Sequence, residues 1–212
     1  MLTQTSVSAE TRVLPAPRLY SGLLDADACD EHFRTLRAAL HWRSETFRLF
    51  GREVLVPRLI AEAGDKGVVY TYSGHAHTAC GWIAGTASLC DRVAALTGIQ
   101  PNHVLANLYR SGRDYMGWHR DDEKGVIGPV AILSLGSTRD LRWRRTARGA
   151  SERLELEAGS LLVLDGRLHH CLPRRKSCTG ERLSLSFRRL EHPSGQTAQI
   201  RPDTWRGARR SG

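Results

Sequence analysis

At 212 residues, with 41% hydrophobic and 25% charged residues, the chain is sized and composed for one globular domain. No apolar run approaches membrane-spanning length, and the polar start MLTQTSVSAETRVLPAP lacks the apolar stretch of a secretory signal, so a cytoplasmic protein without membrane contact is expected. The net charge of +9 suits a polyanionic partner, but the basic residues are nearly all Arg, with Lys only at positions 66, 124 and 176, a bias that genome composition produces as readily as function.

Residues 1–17 read as a flexible lead-in. Leu23 to Trp42 reads as a helix capped by Asp25, with Phe33, Leu36 and Leu40 at helical spacing. Phe50-Gly51-Arg52 opens a turn, and Pro57 confines any strand around Val54 and Val56 to an edge. Gly64 to Gly67 is a turn signal. Val69 to Gly74 reads as a strand with Tyr70 and Tyr72 on one face, ordinarily a half-buried packing surface. His75-Ala76-His77 has metal-like spacing but follows Ser73-Gly74, which places it in a loop and makes it a poor ligand pair. Thr86 to Thr97 reads as a second helix ended by Gly98, with Leu89, Val93 and Leu96 on its apolar side.

From Pro101 to Arg188 the pattern is one of short strands: 104–109, 130–135, 141–144, 154–157, 160–164 and the alternating Leu183, Leu185, Phe187. Many short strands separated by turn signals predict a β-sandwich or jelly roll. The tail 191–212 is polar and Arg-rich, loosely attached and a candidate nucleic-acid contact. The domain reading is therefore residues 18–100 (helices and a recognition lid) in one domain with 101–190 (the β core), flanked by the two terminal segments.

The stretch NLYRSGRDYMGWHRDDE, Asn107 to Glu123, carries His119-x-Asp121. On an extended strand, residues two apart share a face, so this spacing sets an imidazole beside a carboxylate. A third ligand from a distant His completes a 2-His-1-carboxylate set, which binds a divalent metal and leaves positions open. Alone, the pair reads as a polar surface turn. Its weight comes from His169-His170 and then Arg182-Leu-Ser-Leu-Ser-Phe-Arg188 downstream. Strand neighbours face opposite ways, so only one of His169 and His170 can reach the metal. Arg182 and Arg188 fall on one strand face, roughly 20 Å apart at about 3.3 Å per residue. Leaning inward, they suit the two ends of a short dicarboxylate, and either could take either end. The cysteines, 29, 80, 90, 171 and 178, form no C-x-x-C pair, which predicts free thiols in a reducing compartment, with Cys171 a small buried thiol.

These residues together carry a resemblance. The order Asn107-x-Tyr109, His119-x-Asp121-Asp122-Glu123, His170-x-Leu172-Pro173 and Arg182-x-x-x-Ser186-Phe187-Arg188 resembles the AlkB family of Fe(II)- and 2-oxoglutarate-dependent dioxygenases, which demethylate alkylated nucleic acids. The likeness extends upstream through Phe50-Gly51-Arg52, Pro57-Arg58 and Tyr70 to Gly74, and is greatest to the subgroup of vertebrate DNA-repair members and bacterial relatives. It implies an α+β fold, a double-stranded β-helix (jelly roll) core with flanking helices. It implies that His119, Asp121 and His170 hold Fe(II), and its His-x-Leu-Pro context selects His170, leaving His169 to the second layer or the core. It implies that Asn107, Tyr109, Arg182, Ser186 and Arg188 hold 2-oxoglutarate, that Phe50, Gly51 and Arg52 belong to a lid probing the duplex, and that Tyr70, Tyr72, Asp122 and Glu123 line the damaged-base pocket. The chemistry implied consumes O2 and 2-oxoglutarate, releases succinate and CO2, and frees an N-linked methyl group as formaldehyde. The partner implied is alkylated DNA or RNA, met by a monomer, with the base flipped or single-stranded.

Three departures from the family pattern bear on this. Ser184 stands where an Asn is usual, the segment from Asp165 to His169 is shorter, and Glu62 and Ala63 replace aromatics after the Pro-Arg of the lid. Two rival readings remain at this stage: the same oxygenase core acting on a protein or small molecule, and a non-catalytic jelly-roll module that binds nucleic acid through its arginines.

Overall fold

The computed structural model describes residues 14–49, 52–72, 75–83 and 85–191. The expectations for residues 1–13, Phe50, Gly51 and the tail beyond Glu191 lie outside the described residues. In chain order the elements are β1 (Arg18–Tyr20), α1 (Ala26–Ala39), β2 (Thr46–Leu49), β3 (Arg52–Leu55), β4 (Leu59–Gly64), β5 (Val69–Tyr72), β6 (His75–Thr78), α2 (Thr86–Thr97), β7 (His103–Tyr109), β8 (Met116–His119), β9 (Val126–Gly136), β10 (Arg139–Arg144), β11 (Glu152–Leu156), β12 (Leu161–Asp165), β13 (His169–Leu172) and β14 (Arg182–Leu190).

A six-stranded sheet in the order β1-β12-β9-β14-β7-β4 faces a four-stranded sheet in the order β11-β10-β13-β8, and the pairings in both are antiparallel. This is the double-stranded β-helix core that the strand pattern and the resemblance predict. The two sheets close on each other through Val130, Ile132, Leu162 and Leu164 against Leu141, Trp143 and Leu156. Two hairpins, β2–β3 and β5–β6, stand outside both sheets.

The alternation along β14 explains both the core and the site. Leu183, Leu185 and Phe187 join Leu36, Leu40, Leu89 and Val93 of the helical layer in one apolar cluster. The intervening Arg182, Ser184 and Ser186, with Arg188, turn to the space between the sheets and line its cavity. Neighbouring β7 repeats the pattern in register, with Tyr109 opposite Arg182, Asn107 opposite Ser184, Leu105 opposite Ser186 and His103 opposite Arg188. A buried polar row on a central strand is costly unless it is used, because each group must be satisfied or solvated by something in the cavity.

The helices hold this sheet from behind. Asp25 caps α1, its side chain accepting from the Ala28 N–H at 2.9 Å, worth about 1 kcal/mol. The helix is shorter than the expected Leu23 to Trp42: the cap residue itself is extended, and Leu40 leaves helical geometry at ψ 139°. The flanking apolar residues continue the burial pattern without continuing the helix. The second helix spans the expected Thr86–Thr97 and ends at Gly98, whose φ of +74° is the left-handed cap conformation.

Several local expectations are corrected. Leu59–Gly64 is an unpredicted strand, the β4 edge of the large sheet, so Glu62 and Ala63 sit in the sheet rather than in a lid. His75-Ala76-His77 is strand β6, not loop, with His77 opposite Tyr70. Leu14, within the expected lead-in, packs against the inter-sheet cluster, and its carbonyl accepts from Arg145 Nε at 3.1 Å. The five cysteines are free, and Cys171 is buried as expected.

Candidate active site

His119 ends β8, and His170 lies directly opposite it on β13. Asp121 is not on the same strand as His119, as the spacing suggested, but in the bend that follows. A different device aims it inward: its N–H donates to the Gly166 carbonyl at 2.8 Å, fastening the bend to the turn after β12. Gly166 has to be glycine, since a Cβ there would run into the Asp121 carbonyl oxygen. The short Asp165 to His169 segment thus forms a tight turn, with Leu168 N–H donating to Asp165 O at 2.9 Å, and delivers His170 to the site.

The ligand atoms of His119, Asp121 and His170 lie within 4.8 Å of one another. His119 Nε2 is 3.7 Å from Asp121 Oδ1, and His170 Nε2 is 3.6 Å from Asp121 Oδ2. Each imidazole is anchored by its other nitrogen: Nδ1 of His119 donates to Gly117 O at 2.9 Å and Nδ1 of His170 to Leu168 O at 3.0 Å. A carbonyl can only accept, so these bonds leave the Nε2 lone pairs facing the carboxylate. Two such imidazoles and one carboxylate, with open positions beside them, fit Fe(II).

The electrostatics agree with that donor set. Burial, and then the neighbouring His170, push His119 down to about 4, so it stays neutral. Burial alone would raise Asp121, but Arg188 and the two imidazoles outweigh it and hold the carboxyl well below the usual range. Burial likewise works against a charged His170, and the Asp121 carboxylate reverses it, raising His170. A divalent cation would take the place of the proton that this carboxylate draws onto His170.

The other end of the cavity is built differently. Arg182, 1% exposed, donates to Leu156 O at 3.2 Å and to Ser134 Oγ at 2.8 Å, and among the described residues it pairs with no carboxylate. Its Nε is buried without a hydrogen-bond partner among the described residues. Burial lowers it to about 10, the mark of a cation held away from water. Asn107, Tyr109 and Ser186 line the same cavity, with Met116, Leu105 and Ile132 as apolar wall. Ser184 lines it as well, opposite both Asn107 and Ser134. Arg188 stands at the metal end, its Nη2 2.9 Å from Asp121 Oδ1.

Two arginines escaped the sequence reading. Arg58, buried, donates from Nε to Asn107 Oδ1 at 2.7 Å and so fixes which way the amide points. Arg139, also buried, donates to the carbonyls of Ser111, Asp114 and Pro173, with its guanidinium 5.9 Å from the Tyr109 ring. The Pro57-Arg58 pair was the only sequence signal for the first; nothing local marked the second.

The residues expected around the base divide. Tyr70 is buried, with the Arg188 guanidinium 5.0 Å from its ring, and Glu123 is its neighbour. Burial and the Asp121 charge raise the Glu123 carboxyl, and the same burial raises the Tyr70 hydroxyl. Tyr72 shares β5 with Tyr70, two positions along. Arg52 opens β3 and is exposed. Asp122 is exposed, paired with Arg120 at 3.2 Å, and lines an outer groove with Asp165 and Arg167. His169 also faces outward, toward Arg120 and Arg144, rather than into the core.

Comparison with known proteins agrees with this architecture. The family model described as the 2OG-Fe(II) oxygenase superfamily matches residues 17–188. A DNA oxidative demethylase ALKBH2 of Bos taurus is 34% identical over 188 residues, covering 81% of this chain and 68% of its own length. The alpha-ketoglutarate-dependent dioxygenase alkB homolog 3 of Homo sapiens is 28% identical over 190 residues, covering 80% of this chain and 64% of that protein. The solved structure of OsALKBH1 superposes with a TM-score of 0.62 at 16% identity, over 82% of this chain and 97% of that one, a likeness of fold. The chain belongs to the 2OG-Fe(II) oxygenase superfamily, in its AlkB family, and is a dioxygenase that uses Fe(II), 2-oxoglutarate and O2.

Proposed function

We propose that this enzyme removes N-linked alkyl groups from DNA bases by oxidation, with His119, Asp121 and His170 holding Fe(II). The observation that carries the reading is one cavity with a metal-binding triad at one end and, at the other, a buried arginine that pairs with no acid among the described residues. Arg182 takes the distal carboxylate of 2-oxoglutarate, because Arg188 is already engaged by Asp121. Tyr109, Asn107 and Ser186 complete that seat. The resemblance in sequence to a DNA oxidative demethylase over 188 residues supports the substrate class.

When bound, Fe(II) with 2-oxoglutarate and O2 supplies the oxidant that hydroxylates the N-methyl carbon, after which the product releases formaldehyde. The protein's share is placement. Arg188 keeps Asp121 charged and ready to ligate. The anchored Nδ1 atoms keep both imidazoles turned to the metal. Tyr70 offers a ring to the extruded base, and Glu123 a carboxyl beside it. A methylated base that carries positive charge would be favoured by that carboxyl and by its poor pairing in the duplex. Arg52, at the start of β3, meets the DNA duplex, the role that the resemblance implies for Phe50 and Gly51 as well.

Formaldehyde release from oligonucleotides carrying 1-methyladenine or 3-methylcytosine tests the reading, with single-stranded, duplex and RNA forms compared. Formaldehyde matching succinate on the DNA forms is the expected result. Rapid 2-oxoglutarate consumption that ignores the methyl group would move the enzyme to the rival class acting on other substrates.

A further inference from the structure

Behind Tyr70 lies a second cluster of ionisable side chains, away from the iron ligands. Glu62 on β4 is its hub. Arg43 Nη2 donates to Glu62 Oε1 at 2.9 Å, His77 Nδ1 lies 3.5 Å from the same oxygen, and His103 Nε2 lies 3.3 Å from Glu62 Oε2. Arg43 and His77 also reach Glu45, each at 3.4 Å. These groups come from separate parts of the fold: Arg43 and Glu45 precede the β2–β3 hairpin, His77 is on the β5–β6 hairpin, and Glu62 and His103 belong to the large sheet.

The His103 side chain is fully buried, and its ring meets the Tyr70 ring at 5.1 Å between centroids, inclined by 44°. On β14 its cross-strand partner is Arg188, whose guanidinium is 5.0 Å from the same Tyr70 ring. Tyr70 is in turn the cross-strand partner of His77. Two routes therefore run from one carboxylate to Tyr70: through His103 beneath the ring, and through His77 along the hairpin. Burial lowers His103, so the ring is neutral, and a carboxylate can only accept; Nε2 thus carries the hydrogen and the ring cannot turn over without losing the bond.

We propose that Glu62 and His103 are positioning residues for the nucleobase pocket, setting the Tyr70 ring against Arg188 and tying the β5–β6 hairpin to the six-stranded sheet. The proposal rests on reading Tyr70 as a wall of that pocket. Neither residue touches the iron ligands, so the pair governs recognition of the methylated base and not activation of oxygen.

The test uses the full chain, with Glu62→Gln as the near-isosteric variant and His103→Leu as the stronger one. Three quantities are read for each: anisotropy of a labelled oligonucleotide with and without 1-methyladenine, KM and kcat on the methylated strand, and 2-oxoglutarate decay without DNA. Both variants are expected to raise KM and weaken preference for the methylated strand, by about tenfold for His103→Leu, with substrate-free decay within about twofold of wild type. Glu62→Gln keeps one acceptor oxygen and so can serve Arg43 or His103 but not both, whereas Glu62→Asp, which keeps the charge and both acceptor oxygens, is expected to recover part of the preference. Unchanged preference in a folded Glu62→Gln protein overturns the proposal, and so does a parallel fall in substrate-free decay, which would mean a general structural role. A wild-type enzyme that itself shows no preference for the methylated strand overturns the base-pocket reading, and this proposal with it.

Discussion

Arg182 and Arg188 sit on one strand and line one cavity, both almost wholly buried, yet their surroundings are opposite. Arg188 has Asp121 at 2.9 Å, and its pKa is raised despite burial. Arg182 has a carbonyl and a hydroxyl for company and is lowered to about 10. Desolvating an arginine without an acid is expensive, and such a site persists where a ligand's own carboxylate completes it. On the proposed function, this difference assigns Arg188 to the metal centre and Arg182 to the cosubstrate.

The sharpest break in that comparison comes from the metal end. His119→Ala, Asp121→Ala and His170→Ala are each expected to lower 2-oxoglutarate turnover by about a thousandfold or more, since a two-ligand site loses affinity and geometry together. Succinate formation measures this, with circular dichroism to confirm the fold. Next, Arg182→Met is expected to weaken 2-oxoglutarate binding by about a hundredfold, as befits a charge-assisted pair worth ~2–3 kcal/mol. Its melting temperature should hold or rise, because an acid-free buried charge is removed. Arg188→Met should do the reverse in the metal-free protein, costing about 3–5 kcal/mol by leaving Asp121 buried without its partner. Thermal melts of the two variants side by side decide whether the arginines differ as described.

Smaller effects refine the picture. Ser184→Asn is expected to lower the KM for 2-oxoglutarate by about two- to threefold, by adding one polar contact between Asn107 and Ser134. The Glu62 carboxyl, which burial would raise, is lowered below its ordinary 4.5 by His103 and Arg43. A carboxyl lowered in the folded state adds stability above its unfolded value, and that contribution fades as pH falls toward the folded one. Stability of the wild type should therefore fall more steeply in acid than that of Glu62→Gln once the pH drops below 4.5, as denaturant titrations carried from neutral pH to below that value would show.

What the sequence made legible follows from what is local. The second helix was readable to its ends because Gly98 marks its cap and Leu89 and Val93 keep helical period. The alternation of β14 was readable, and its polar face lines the cavity between the sheets. The nearness of His170 to His119 could be guessed from spacing and resemblance, whereas the bond from Asp121 to Gly166 that aims the carboxylate depends on a turn far away in the chain. β4 was missed because Leu59-Ile60-Ala61-Glu62-Ala63-Gly64 has small residues and a charge where strands usually carry branched ones; its partner β7 supplies what its own propensity does not. Arg139 and the Glu62–His103 pair were invisible for the same reason, since their partners come from strands distant in sequence.

The most direct test of the central claim is formaldehyde measured from a 1-methyladenine oligonucleotide with Fe(II) and 2-oxoglutarate, for the wild type and for Asp121→Ala side by side. The account predicts formaldehyde in step with succinate for the wild type and neither for the folded variant. Formaldehyde from Asp121→Ala at the wild-type rate, or none from a wild type that consumes 2-oxoglutarate rapidly, would contradict it.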